Sequence, residues 1–113
     1  MLAYWYLRQA GYTLVARNRR PGTRLGELDL VGWDGPVLAF IEVKTRTSDQ
    51  AGRPETTVTP EQRRRISKAA TMHVRQMGRT DVTYRFDIAS VSWVPGSGYC
   101  VRLLKDAFKD RPR

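Results

Sequence analysis

Asp29 and the run Glu42-Val43-Lys44 put two carboxylates and an ammonium group on two neighbouring predicted strands. Like charges directly opposite each other destabilise a strand pair. A chain that sets two carboxylates together needs a cation there, and hard divalent ions with oxygen ligands are the usual answer. The other reading of these residues is a solvated sheet face, with Glu27 and Lys44 as an ordinary ion pair that stabilises by about 0–1 kcal/mol. Val31 and Phe40, which share that face, need cover and argue against full exposure.

Two segments must position this cluster. Residues 25–33 read L-G-E-L-D-L-V-G-W and residues 36–46 read P-V-L-A-F-I-E-V-K-T-R, with Asp34-Gly35-Pro36 as turn residues between them. With Trp33 opposite Leu38, an antiparallel register sets Val31 against Phe40, Asp29 against Glu42 and Glu27 against Lys44. Alternation then makes Leu28, Leu30, Ala39, Ile41 and Val43 a core face, with Glu27, Asp29, Glu42 and Lys44 together on the other. The loop length is open from the sequence, and a slip of one residue would send the carboxylates to the core face.

Composition bounds the partners. The 113 residues suit one domain, 1–113, with a single core. Lys and Arg number 20 against 11 acidic residues, a formal charge of +9. Such an excess in a small domain suggests a polyanion, nucleic acid being the commonest, although solubility alone also accounts for basic charge. Cys100 is the only cysteine, which excludes a disulfide framework and a cysteine-based zinc site. No apolar run reaches membrane-span length, and the N-terminus lacks a signal-peptide pattern. The expectation is a soluble cytoplasmic protein without a membrane role.

Along the chain, Ala3, Tyr6, Leu7 and Ala10 predict one stripe of a first helix, stopped by Gly11. Residues 12–18 read as a strand, with Leu14 and Ala16 alternating against Val15 and Arg17. Residues 47–58 are polar and broken by Gly52 and Pro54, the pattern of a mobile loop. Thr59, Pro60 and Gln62 form a helix start with a capping box, and Ile66, Ala69, Ala70, His73, Val74 and Met77 give its buried stripe. Residues 82–94 read as a long strand whose apolar phase shifts, which predicts a bulge near Ala89-Ser90. Residues 99–104 are a last strand, with a short helical turn expected at Asp106-Ala107-Phe108. The order α-β-β-β-α-β-β predicts an α/β fold with a mixed sheet flanked by helices.

Five ordered blocks carry a resemblance: A-R-N-R-R (16–20), G-E-L-D-L-V (26–31), F-I-E-V-K-T-R (40–46), G-x-P-E-T-x-V-T (52–59) and R-F-D-I-A-S-V (85–91). Together they resemble the YraN family, small bacterial proteins related to archaeal Holliday-junction resolvases and the restriction-endonuclease-like, PD-(D/E)xK nuclease superfamily. The resemblance implies that restriction-endonuclease-like fold and a metal-dependent nuclease acting on DNA, including branched or junction DNA. It assigns Asp29, Glu42 and Lys44 as catalytic residues, with Asp29, Glu42 and the Val43 carbonyl holding Mg²⁺ or Mn²⁺. One departure stands out. Aligning on Ala3, Tyr6 and Leu7 puts the glutamate that opens the family's first helix immediately before Met1. Either the start lies downstream of the true one or this member has lost a carboxylate that related resolvases use.

In the nuclease reading the metal acts as Lewis acid on the scissile phosphate, Lys44 orients water and offsets developing charge, and Glu27 either tunes Lys44 or serves as an acid behind the metal ligands. Arg17, Arg19, Arg20, Arg24, Arg46, Arg63 and Arg64 are candidates to grip phosphates, with Gln62 beside them, although its cap suffices to explain it. His73 on an apolar stripe reads as a satisfied core histidine. Asp87, between Phe86 and Ile88, is expected to face away from the core without a chemical role. Two other functions fit the sequence: a nucleic-acid-binding module of the same fold without turnover, and a protein-interaction domain that meets an acidic partner. A homodimer suits two cuts on a two-fold symmetric junction, and Trp5, Trp93 and Tyr99 are rings that a small core would leave uncovered. A self-sufficient monomer fits as well.

Overall fold

A computed structural model describes residues 1–22, 26–46 and 58–109. Arg24 and all but Val58 of the loop expected over 47–58 lie outside the described residues. The elements are α1 (Leu2–Gln9), β1 (Thr13–Arg19), β2 (Leu28–Asp34), β3 (Val37–Arg46), α2 (Pro60–Gln76), β4 (Tyr84–Val94) and β5 (Gly98–Phe108). They form one five-stranded sheet in the order β1-β2-β3-β4-β5. Every neighbouring pair is antiparallel except β3 and β4. A parallel pair needs a crossover, and α2 supplies it. The α/β order expected from the sequence is the one found.

The β2–β3 hairpin has the expected register, with Trp33 opposite Leu38 and Val31 opposite Phe40. It closes tightly, since Asp34 still pairs with Val37. Gly35 takes φ +59°, the sign required at the first central position of a two-residue II′ hairpin turn.

The sheet is covered on both faces. On one, α2 packs Ile66, Ala69 and Ala70 against Val31, Leu38, Phe40, Phe86 and Ile88. On the other, α1 packs Ala3 and Leu7 against Leu30, Ala39, Ile41, Ala89 and Val91. Helix α2 begins as predicted, Thr59 and Gln62 exchanging the two bonds of a capping box.

Several local expectations are corrected. In α1 only Ala3 and Leu7 are buried, while Tyr6 and Ala10 are exposed. In β1 a bulge between Leu14 and Ala16 puts Leu14 in the α1 layer and Ala16 in the α2 layer, since an extra residue reverses the alternation. Gly32 accommodates that bulge: a Cβ there would stand 2.6 Å from the Leu14 side chain. Leu28 packs with the α2 layer rather than with Leu30. The apolar phase shift in β4 needs no bulge at Ala89-Ser90, because a central strand is buried on both faces and carries apolar residues in both phases. The irregularity in the β4–β5 pairing lies between Phe86 and Ile88. Strand β5 runs through to Phe108 in place of the expected helical turn. Asp106 takes φ +56° and its N–H donates to the Asp87 carboxylate at 2.9 Å, which lets the strand re-pair at Phe108.

Candidate functional site

Strand β3 alternates Leu38 and Phe40 into the α2 layer, and the same phase continues through Glu42 and Lys44. Continuing the register of β2 and β3 by one step sets Asp29 opposite Glu42. Asp29 is anchored there: its Oδ2 accepts the backbone N–H of Val43 at 2.9 Å. One oxygen of Asp29 is thus engaged by the neighbouring strand, and its position relative to Glu42 is set by the sheet.

The two carboxyls lie close enough for one to donate to the other when protonated. Burial first, and then the charge of Asp29, push Glu42 up to about 7, although Lys44 pulls in the opposite direction. The Lys44 ammonium stands 3.2 Å from Glu42 Oε2, with side chains only 20% and 15% exposed. Lys44 therefore pairs with Glu42, two residues away on its own strand. The expected partner, Glu27, instead lies 3.9 Å from Arg20. Residues i and i+2 share a face of a strand, which brings Glu42 and Lys44 together without any help from β2.

Among the described residues no group of three or more His, Cys, Asp or Glu side chains could hold a metal ion. The donor set at β2 and β3 is two carboxylates, with the Val43 backbone beside them. That set fits Mg²⁺ or Mn²⁺, which take hard oxygen ligands and commonly use one or two carboxylates with waters and substrate phosphate completing the shell. The raised Glu42 records the repulsion between the two half-buried carboxyls, which a proton relieves in the absence of a cation.

Of the arginines singled out from the sequence, Arg17, Arg19, Arg20 and Arg63 have partners away from this pair. Arg17 lies on the other face, its guanidinium 5.5 Å from the Tyr4 ring. Arg19 hydrogen-bonds to Gln76 at the far end of α2, and Arg20 is with Glu27. Arg46 is buried in β3 beyond Lys44 and pairs in register with Ser92. Arg63 donates to the Val58 carbonyl at 3.2 Å and lies over the Phe108 ring, whereas Arg64 is exposed. Gln62 is occupied by the cap of α2. His73 is half-buried edge-on to Phe40 and held below its usual range by burial and by Arg19; it is not the satisfied histidine expected, because its buried Nδ1 has no hydrogen-bond partner.

Asp87 corrects the sequence reading most. It is 0% exposed, accepting from Tyr12 at 2.8 Å, from Arg85 at 2.9 Å and from the Asp106 backbone at 2.9 Å. Arg85 also reaches Asp34 at 2.6 Å, which Lys105 meets at 2.9 Å. This network joins the start of β1, the β2–β3 turn, β4 and β5. A buried carboxylate is retained only when paired and hydrogen-bonded, and burial with the Asp87 charge raises the Tyr12 hydroxyl. The Arg-x-Asp spacing of 85 and 87, two residues on one strand face, was the available signal.

Among the described residues no helix is long and apolar enough to cross a membrane. A family model described as "Uncharacterised protein family UPF0102" matches residues 1–91. The chain is 53% identical over 93 residues to a UPF0102 protein of Solibacter usitatus, covering 80% of this chain and 68% of that protein. It is 38% identical over 108 residues to a UPF0102 protein of Syntrophus aciditrophicus, covering 96% and 83% respectively. A UPF0102 protein of Alkaliphilus metalliredigens is 34% identical over 103 residues, 91% of this chain and 87% of that one.

Proposed function

This chain belongs to the uncharacterised protein family UPF0102, a name that carries no activity, and we propose that it is a metal-dependent nuclease hydrolysing phosphodiester bonds in DNA. The observation that carries the reading is the half-buried Asp29–Glu42 pair with Lys44 on the second carboxylate. The resemblance to the YraN proteins and their resolvase relatives supports it, as does the charge of +9.

Asp29 and Glu42 would hold Mg²⁺ or Mn²⁺, with the Val43 carbonyl as a third donor. The bound ion would supply Lewis-acid polarisation of the scissile phosphate and a lowered pKa for a coordinated water. Asp29, tied to the Val43 N–H, keeps its place without the ion. Glu42, raised toward neutrality without the ion, would give up its proton on taking the ion. Lys44 directs its remaining donors at the water or at the phosphate oxygens, where negative charge builds. Two symmetric cuts on a four-way junction would call for a homodimer, and sedimentation with and without junction DNA addresses that part separately.

The test is incubation with linear, nicked and four-way-junction DNA in Mg²⁺, in Mn²⁺ and in chelator, for wild type, Asp29→Asn and Lys44→Ala. Metal-dependent cleavage that both variants lose is expected. Absence of cleavage on every substrate, or cleavage that both variants retain, would overturn the reading.

A further inference from the structure

One surface belongs neither to the carboxylate site nor to either core layer. Helix α1 turns Trp5 outward, 57% exposed, beside Tyr4, the two rings meeting edge to face at 5.3 Å. Edge strand β1 contributes Val15, 53% exposed at the bulge, and Arg17. Between helix and strand runs an open groove of about 340 Å³. Arg17 lines it, 5.5 Å from the Tyr4 ring, and Arg8 lies over two of its lining rings, 5.3 Å from Trp5 and 5.9 Å from Tyr4. Neither pairs with a carboxylate among the described residues. The first 26 residues hold five arginines and no Asp or Glu, so no acidic side chain of this segment competes for them.

The chemistry selects the occupant. An apolar partner would bury two unpaired cations at high cost. Duplex DNA offers phosphates but keeps its base faces stacked, leaving Trp5 without a partner. A single strand presents both, phosphates for arginine and unstacked bases for an aromatic ring. We propose that the α1–β1 edge is a binding platform for single-stranded nucleic acid, with Trp5 stacking on an unpaired base and Arg8 and Arg17 holding the adjacent phosphates. Arg17 pairs with Leu30, the residue after Asp29, so the platform and the carboxylate pair flank the same stretch of β2 from opposite faces of the sheet. The platform does not depend on cleavage.

Fluorescence anisotropy in chelator with a labelled oligothymidine, an abasic strand of the same length and a blunt duplex tests it, for wild type, Trp5→Ala, Tyr99→Ala and a double Arg8→Gln/Arg17→Gln variant. Trp5 is exposed, so its truncation leaves the core intact. Trp5→Ala should weaken oligothymidine about tenfold or more, the effect of losing one stacked base, and leave the abasic strand and duplex unchanged. The double arginine variant should reduce the single-strand salt slope by about 1.4, at roughly 0.7 per phosphate contact. Tyr99, an exposed ring on the opposite edge strand, is the control: Tyr99→Ala should bind like wild type, and binding read in chelator separates failure here from failure of the nuclease reading. Equal affinities of wild type and Trp5→Ala for oligothymidine, or equal weakening on the abasic strand, would overturn the proposal. So would self-association of wild type in sedimentation that Trp5→Ala abolishes, since the patch would then be a contact between copies.

Discussion

Asp29 accepts the backbone N–H of Val43 at 2.9 Å, from one strand to the next. The carboxylate that stands beside Glu42 is therefore also a structural acceptor, and its two roles separate by substitution. Asp29→Asn keeps a carbonyl oxygen for Val43 and removes the charge. Asp29→Ala leaves a half-buried donor unmatched, at about 1–3 kcal/mol. In urea unfolding at neutral pH the asparagine variant should match or exceed wild type, and the alanine variant should fall below the asparagine one. Calorimetric titration of Mg²⁺ or Mn²⁺ should give heat with wild type and none with either variant; identical heats in all three would remove the metal site.

Glu42, raised to about 7 from its ordinary 4.5, makes the metal-free protein sensitive to pH. The folded state holds the proton more tightly than the unfolded state. Its contribution is thus fully present below about 4.5 and is lost as pH rises through about 7. Glu42→Gln should be more stable than wild type above pH 7, by on the order of 1–3 kcal/mol, a tenfold change in proton affinity being about 1.4 kcal/mol. The advantage should shrink toward pH 4.5. Parallel thermal melts across that range, in chelator, measure it; a difference independent of pH would contradict the assignment.

The buried network around Asp87 predicts a different pattern. Asp87→Ala leaves the Tyr12 hydroxyl and the Asp106 N–H without their acceptor and Arg85 with only Asp34 and the Tyr12 oxygen. Breaking a buried charge pair in this way costs about 3–5 kcal/mol. Tyr12→Phe removes the bond donated to Asp87 and the one accepted from Arg85 and should cost about 1–3 kcal/mol. Chemical denaturation ranks the two, and the double variant should fall short of their sum because they share a partner. A simple sum would mean that the residues act independently.

Duplex DNA binding should weaken steeply with salt, the log–log slope being about −0.9 per phosphate neutralised. Because Arg63 is engaged with Val58 and Phe108 while Arg64 is exposed, Arg64→Gln should lower the slope more than Arg63→Gln. Filter binding across a salt series decides, and a flat response would argue against a nucleic-acid partner altogether.

The features legible in the sequence are those set by near neighbours. The Asp34-Gly35-Pro36 turn and the two-residue alternation fix how β2 meets β3, so the approach of Asp29 to Glu42 could be read from the residues between them. The capping box and apolar stripe of α2 are likewise local. The tertiary structure decided what depends on distant contacts. Glu27 pairs with Arg20, which alternation within β2 does not show, whereas Lys44 and Glu42, two residues apart on β3, are local neighbours. Asp87 is buried because α1 and Tyr12 cover the second face of β4, and alternation within one strand cannot tell which of two faces is covered. The arginines disperse for the same reason. Composition records their number, whereas the helices decide which face of the sheet each one reaches, and so leave Trp5, Arg8 and Arg17 together at an open edge.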